Sequence, residues 1–241
     1  MDDQQLATML RRASYRLLPG RCLICGMASG QAVDLCSGCE RELPQNRSCC
    51  PVCALPIGSE IETLALCGQC QSNPPPFHSC LAPLRYEFPI NLLINRFKHQ
   101  GKFSAGALLA ECLLRNLNQQ EELPELLIPV PLHWRRLWQR GFNQATWLAN
   151  YLGRRLEIPV YHRALQRTRY TPQQQGQRRS QRLNNLKGAF HLSGDVSGKT
   201  IALVDDVVTT GSTINELSRM LMSGGARRVN VWCLARTPLE K

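Results

Sequence analysis

The chain has 241 residues, 43% of them hydrophobic, and 29 Lys or Arg against 18 Asp or Glu, a formal net charge of +11. That length buries a sizeable core and suits one domain of about 150 residues with a smaller module beside it. No apolar run reaches the ~18 residues that a membrane-crossing helix needs, and Met1-Asp-Asp-Gln-Gln lacks the charged lead of a secretory signal, so a cytoplasmic protein is expected. Thiols stay reduced there, and twelve cysteines call for metal rather than disulfides.

In chain order, the pattern of residues 4–18 predicts an amphipathic N-terminal helical segment (1–20) that serves packing. Ten of the twelve cysteines then fall between Cys22 and Cys80, and four pairs have the CxxC spacing: Cys22/Cys25, Cys36/Cys39, Cys50/Cys53 and Cys67/Cys70. A CxxC turn offers two thiolates to one tetrahedral zinc, and two turns close a structural site. Residues 21–72 therefore read as a double zinc-ribbon module with two Zn2+, paired sequentially or interleaved. So few apolar side chains could hardly fold without metal. Cys49 competes with Cys50 as a ligand, whereas Cys80, Cys112 and Cys233 look unpaired, the last two as buried thiols. The stretch Asn73-Pro-Pro-Pro-Phe77 is a stiff break before a second domain at 80–241.

That domain alternates helical and strand patterns. Helices are expected at Ile90–Phe97 and Ala105–Leu117, and a strand near a sheet edge at Leu126–Leu132, where Pro129 and Pro131 shorten the ladder. A loop, His133–Gly141, leads to a helix from about Phe142 to Leu156 and a strand near Pro159–Tyr161. The last strand is Arg228–Ala235. Strands alternating with helices imply a mainly parallel α/β sheet flanked by helices, with ligands at the carboxyl ends of its strands.

From His133 to Phe190 there are twelve Lys or Arg against one acid, Glu157, so this segment holds the whole charge excess. Such a field favours phosphate-rich ligands or nucleic acid, although a merely solvated face has the same composition. Arg135, Arg136 and Arg140, between a strand and a helix, suit a pyrophosphate. Arg167 to Lys187 has no apolar period. It reads as a lid, as an arm on single-stranded DNA through Arg167, Arg169, Arg178, Arg179 and Arg182, or as plain disorder. Trp134, Trp138 and Trp147 are compatible with base stacking, and Trp147 equally with core packing. The isolated His99, His133, His162 and His191 read as surface or loop residues rather than bases.

The most informative stretch is Ile201 to Thr213. Four apolar residues make a buried strand, Asp205 and Asp206 stand at its end, and Val207-Val208-Thr209-Thr210-Gly211-Ser212-Thr213 leads into a helix to Ser223. Backbone N–H groups of such a turn, with the positive end of the helix, cradle phosphate. The acids, which cannot hold phosphate themselves, suit sugar hydroxyls or a Mg2+ brought by the ligand. The plain alternative is a turn capped by Thr210 or Ser212.

This order resembles, without gaps, the signature of type I phosphoribosyltransferases. The resemblance implies a pocket for phosphoribosyl pyrophosphate (PRPP), with the acidic pair on the ribose and the Thr209–Thr213 turn on the 5-phosphate. From Cys22 to Ala235 the chain resembles the ComF family, which includes the GntX-type proteins. The blocks that carry this are the CxxC pairs, Phe97-Lys98 with Gly101, Ile128–Leu132, Arg140-Gly-Phe-Asn-Gln144, Thr171–Gln174, Arg182–Asn185, Gly188–Phe190 and Ile201–Thr213. Gln177 departs from a Leu that is frequent there. The resemblance implies a double zinc ribbon joined to a phosphoribosyltransferase-like domain and a role in taking up or using external DNA. Three readings stay open: a DNA-uptake factor binding PRPP and single-stranded DNA beside the uptake machinery, an active transferase displacing pyrophosphate, and a PRPP-sensing regulator.

Overall fold

The computed structural model describes residues 20–31, 33–58, 65–117, 123–169 and 188–238. The N-terminal helical segment, apart from residue 20, lies outside them, as do Arg178, Arg179 and Arg182.

Two ribbons of one design come first. Each opens on a CxxC knuckle whose next residue is left-handed, Gly26 at φ 76° and Ala54 at φ 54°. In each, an N–H of that residue returns to the first cysteine carbonyl at 2.9 Å. Each second CxxC pair begins a single helical turn: α1 (Ser37–Arg41), where Cys36 Sγ accepts from Cys39 N, and α2 (Gly68–Ser72), with Cys67 at the N-cap position but no side-chain cap bond.

Strands β1 (Ser79–Leu81) and β2 (Leu84–Arg85) follow, too short to register as apolar periods. The expected helices form as α3 (Ile90–Gln100) and α4 (Phe103–Leu117), and β3 (Leu126–Pro129) ends at its proline. Residues 133–141, expected as a loop, hold a helix, α5 (Trp134–Arg140). His133 caps its start and Gly141, at φ 77°, ends it; Trp134, Leu137 and Trp138 fall at helical spacing, but none of its residues is buried. Next come α6 (Gln144–Leu156), β4 (Leu165–Arg167), β5 (Phe190–Leu192), β6 (Thr200–Val208), α7 (Ser212–Ser223) and β7 (Arg228–Arg236).

The main sheet runs β1-β7-β6-β3, with β2 also on β7, and every pairing is parallel. β3 is the outermost full strand, as its prolines predict, and beyond it the expected strand at 159–161 is a single bridge, Leu127 to Val160. Two apolar layers cover the sheet. Val204 and Ala202 join Leu93, Phe97, Leu113 and Leu148 on one face; Ile201 and Leu203 join Ile214, Leu217 and Leu221 on the other. Burying each such side chain contributes about 1.5–3 kcal/mol.

The ribbons share these cores. Cys22, Leu35 and Leu43 pack into the layer of α3 and α4, and Arg96 donates to the Leu23 carbonyl at 3.0 Å. Ala54 packs with Phe77, Cys80 and Ala82 in the other layer. Asn46 Nδ2 donates to the carbonyls of Ala54 and Ala82, Asn46 N to Pro83, and Arg85 N to Pro44.

Candidate functional site

Three segments meet at the carboxyl ends of β3 and β6. β6 runs through both acids to Val208 rather than stopping before them, because β7 keeps pairing as far as Arg236. The Asp206 side chain, 9% exposed, forms an ion pair with Lys98 at 2.7 Å, not aligned as a hydrogen bond. Lys98 stands in the last turn of α3, before Gly101. Burial and the Asp206 charge push the Asp205 carboxyl up to about 8, while Lys98 pulls it down. Burial, then Arg140 and Lys98, hold His99 below its usual value.

The block Arg140–Gln144 ties this corner together. Gly141 closes α5; Asn143 caps α6 through Ala145 N and donates to the Val130 carbonyl at 3.0 Å. Buried Gln144 accepts from Arg140 at 3.3 Å and donates to the Lys98 carbonyl at 3.2 Å. Phe142 stacks into a cluster with Phe97, Phe103 and Trp147. Trp147 therefore belongs to this packing rather than to an exposed stacking surface.

The turn after β6 has the shape of an anion site. Gly211 is the N-cap of α7 at φ 75°, and as a glycine it offers the helix no side-chain cap of its own. Thr210 Oγ1 bonds Ser212 Oγ at 3.0 Å and accepts from Ser212 N, the first N–H of the helix, at 3.5 Å, so Thr210 serves as the weak cap of the plain alternative. A Cβ on Gly211 would meet nothing within 4 Å, so glycine serves the left-handed backbone there, not a crowded one. Beyond Ser212 N, the N–H groups of this first turn and the positive helix end are the chemistry that suits an anion.

The arginines are placed unequally. Arg140 lies close enough to Asp206 to feel its charge and also feels Arg136, and Arg136 in turn feels Arg167. Burial, then Arg167, Arg135 and Arg136, lower the His133 pKa; the ring is buried and its Nδ1 accepts from Arg135 N at 3.2 Å. His133 is thus a buried loop residue that caps the helix, in keeping with the expectation of a surface or loop residue rather than a base. Arg135 lies over Trp134 at 5.3 Å. Trp138 is 85% exposed and Trp134 59%. Arg167 sits over Phe190 where β4 and β5 pair, and Arg169 is exposed just beyond. The rest of that basic segment, 170–187, lies outside the described residues.

Sequence reasoning missed the partners Lys98 and Gln144, although both lie in blocks it had marked. It also missed Arg236, the buried last residue of β7.

The eight cysteines gather in sequential pairs: Cys22, Cys25, Cys36, Cys39 and Cys50, Cys53, Cys67, Cys70, their sulfurs within 4.8 Å of one another in each group. Cys25 and Cys36 are 3.7 Å apart and Cys53 and Cys67 3.5 Å. A tetrahedron of ~2.3 Å Zn–S bonds sets its sulfurs about 3.8 Å apart, so both groups fit structural zinc. Burial opposes ionisation of Cys22, yet backbone donors bring its thiol down to about 6; Cys50 comes down to about 7 in the same way. Cys49 is in neither group. Cys80 and Cys233 are buried, and Cys112 is half-buried.

Family models for a double zinc ribbon domain and a phosphoribosyl transferase domain match residues 14–71 and 140–240. The DNA utilization protein YhgH of Escherichia coli (strain K12) is 37% identical over 227 residues, covering 91% of this chain and 98% of that one. Competence protein F of Haemophilus influenzae is 38% identical over 226 residues, with 90% and 96% covered. Competence protein ComFC of Streptococcus pneumoniae is 27% identical over 232 residues, with 90% and 100% covered. Among solved structures, a purine phosphoribosyltransferase from Pyrococcus horikoshii aligns at TM-score 0.32 and 18% identity, covering 55% of this chain and 87% of that one. The chain belongs to the ComF family, a double zinc ribbon joined to a parallel-sheet domain of the phosphoribosyltransferase type.

Proposed function

We propose that this protein serves the uptake or use of external DNA, as the names of its relatives suggest, and that it binds PRPP with Mg2+. In this reading Asp205 and Asp206 take the ribose hydroxyls and the metal, and Val207 to Thr213 wrap the 5-phosphate. Arg140 and Arg136 hold the pyrophosphate, with Arg135 beside them. The observation that carries the reading is the convergence of the Lys98–Asp206 pair and Arg140 at the end of the strand that leads through Gly211 into α7. Titration calorimetry with PRPP and Mg2+ tests it. Binding should be lost in the double variant Asp205→Ala, Asp206→Ala; unchanged affinity there sinks the reading.

The exposed Trp134 and Trp138, interleaved with arginines, support single-stranded DNA as a second ligand. Stacking contributes about 1–3 kcal/mol per base, and phosphate contacts make affinity fall steeply with salt. Fluorescence anisotropy with a labelled oligonucleotide should show that slope, and Trp138→Ala should weaken binding at every salt concentration. No binding at low salt removes this part. The phosphoribosyl transferase match over residues 140–240 favours one further reading, an active transferase in which an acceptor displaces pyrophosphate from C1 of PRPP. Positioning and charge stabilisation would supply its catalysis. Pyrophosphate release across a panel of nucleobases decides it.

A further inference from the structure

Arg236 is the one arginine whose side chain is fully enclosed among the described residues, 4% exposed, and it makes no ion pair there. Its guanidinium is held by carbonyl oxygens alone. Nε donates to the Cys53 carbonyl at 3.2 Å; Nη1 donates to Val208 at 2.9 Å, to Thr209, and to Thr237 at 3.2 Å. Cys53 belongs to the second cysteine tetrad. Val208 and Thr209 are the strand end and first residue of the turn that leads to Gly211 and α7. One planar, always-charged fork therefore bridges a metal knuckle to the anion turn. Among the described residues nothing comparable joins the first tetrad to the turn: that ribbon is bonded to α3 and α4, through Arg96 with Leu23 and Arg115 with Glu40.

The fork has two consequences. A buried cation satisfied by dipoles alone leaves positive charge beneath a turn whose N–H groups face a prospective anion. It also ties the turn's backbone to a knuckle whose shape depends on four sulfurs converging on one ion. We propose that Arg236 couples the second zinc site to the phosphate turn, so that zinc held by Cys50, Cys53, Cys67 and Cys70 keeps that turn in its anion-binding form. The ligand side of this coupling rests on the reading of Thr209–Thr213 as the 5-phosphate site. Arg236 acts as a positioning residue, not a catalytic one.

Such coupling is reciprocal: a ligand on the turn must tighten zinc at the second site by the same factor that zinc tightens the ligand. Zinc release from the full chain into a chromogenic chelator is followed with and without PRPP and saturating Mg2+. PRPP should slow one of two release phases about fivefold or more, the lower end of ordinary coupling, and leave the other within about twofold. In Arg236→Gln the selective slowing should vanish and PRPP affinity fall about tenfold. Arg236→Lys, which keeps the charge without the fork, should recover part of the affinity but not the selectivity. Equal slowing of both phases, no slowing despite bound PRPP, or selectivity that survives in Arg236→Gln overturns the proposal. The wild-type measurement needs no variant and so stands even if Arg236→Gln fails to fold. Where wild type binds no PRPP, the pocket reading is what fails, and the coupling is judged by amide exchange. Residues 208–213 should then exchange about tenfold faster in Arg236→Gln, with β3 unchanged, and equal rates reject it.

Discussion

Lys98 and Asp206 come from elements more than a hundred positions apart, and their ion pair links α3 to the end of β6. At 2.7 Å two unit charges attract by about 6 kcal/mol at an effective dielectric of ~20, and desolvation takes back much of that. Removing one partner of a fully buried pair costs ~3–5 kcal/mol, because the other charge is stranded. Lys98 keeps 24% of its exposure against 9% for Asp206, which places the cost lower, at about 2–3 kcal/mol. Lys98→Met and Asp206→Asn should each lower stability by about that amount. The double variant should lose little more than either, a coupling of about 2 kcal/mol in the cycle. Urea denaturation at pH 7 in zinc-replete buffer measures all four proteins. Additive losses, with coupling below about 0.5 kcal/mol, would refute the pair as a structural link.

Asp205 gives a pH signature. With its folded pKa raised to about 8 from 3.8, the proton it holds stabilises the fold fully below the unfolded value, and this is lost as pH rises through 8. The urea midpoint should therefore fall as pH rises from about 6 to 8 and level off above, with a smaller fall in Asp205→Asn; parallel profiles contradict the shift. Gly211→Ala, forced to φ 75°, should cost about 1–2 kcal/mol in thermal unfolding, and no cost would mean the turn adopts another backbone. Replacing His133 by Ala should cost about 1 kcal/mol and replacing it by Asn far less, as expected of a helix cap; equal losses would point to packing instead. Metal analysis of the purified chain should give two zinc ions, one per tetrad, and a folded protein with none overturns the assignment.

What could be read from the sequence depended on how local its cause was. The zinc tetrads were legible because CxxC spacing is imposed by a two-residue knuckle, although their pairing needed the fold. β6 and α7 were legible from an apolar run and one glycine. α5 was not recognised, although Trp134, Leu137 and Trp138 at helical spacing and the caps His133 and Gly141 were available signals; three arginines and an exposed apolar face made the stretch read as a loop. β1 and β2 span three and two residues, too few for a pattern. The roles of Lys98 and Arg236 were invisible because a charged residue names its partner only through topology, and Arg236 finds Cys53 183 positions away.

The stitching of residues 44–46 onto β2 has a consequence beyond fold stability. β1 and β2 lie outside β7, and a bare outer strand is a template on which a second chain can add its own. Pro44, Gln45 and Asn46 occupy those hydrogen bonds at Pro83, Leu84 and Arg85, in a linker strung between the two metal knuckles. Zinc at the two tetrads would hold this linker from both ends, so stripping it is expected to free the linker and bare the strand. Chelation should drive the protein into concentration-dependent oligomers, visible by light scattering, before the parallel sheet itself melts.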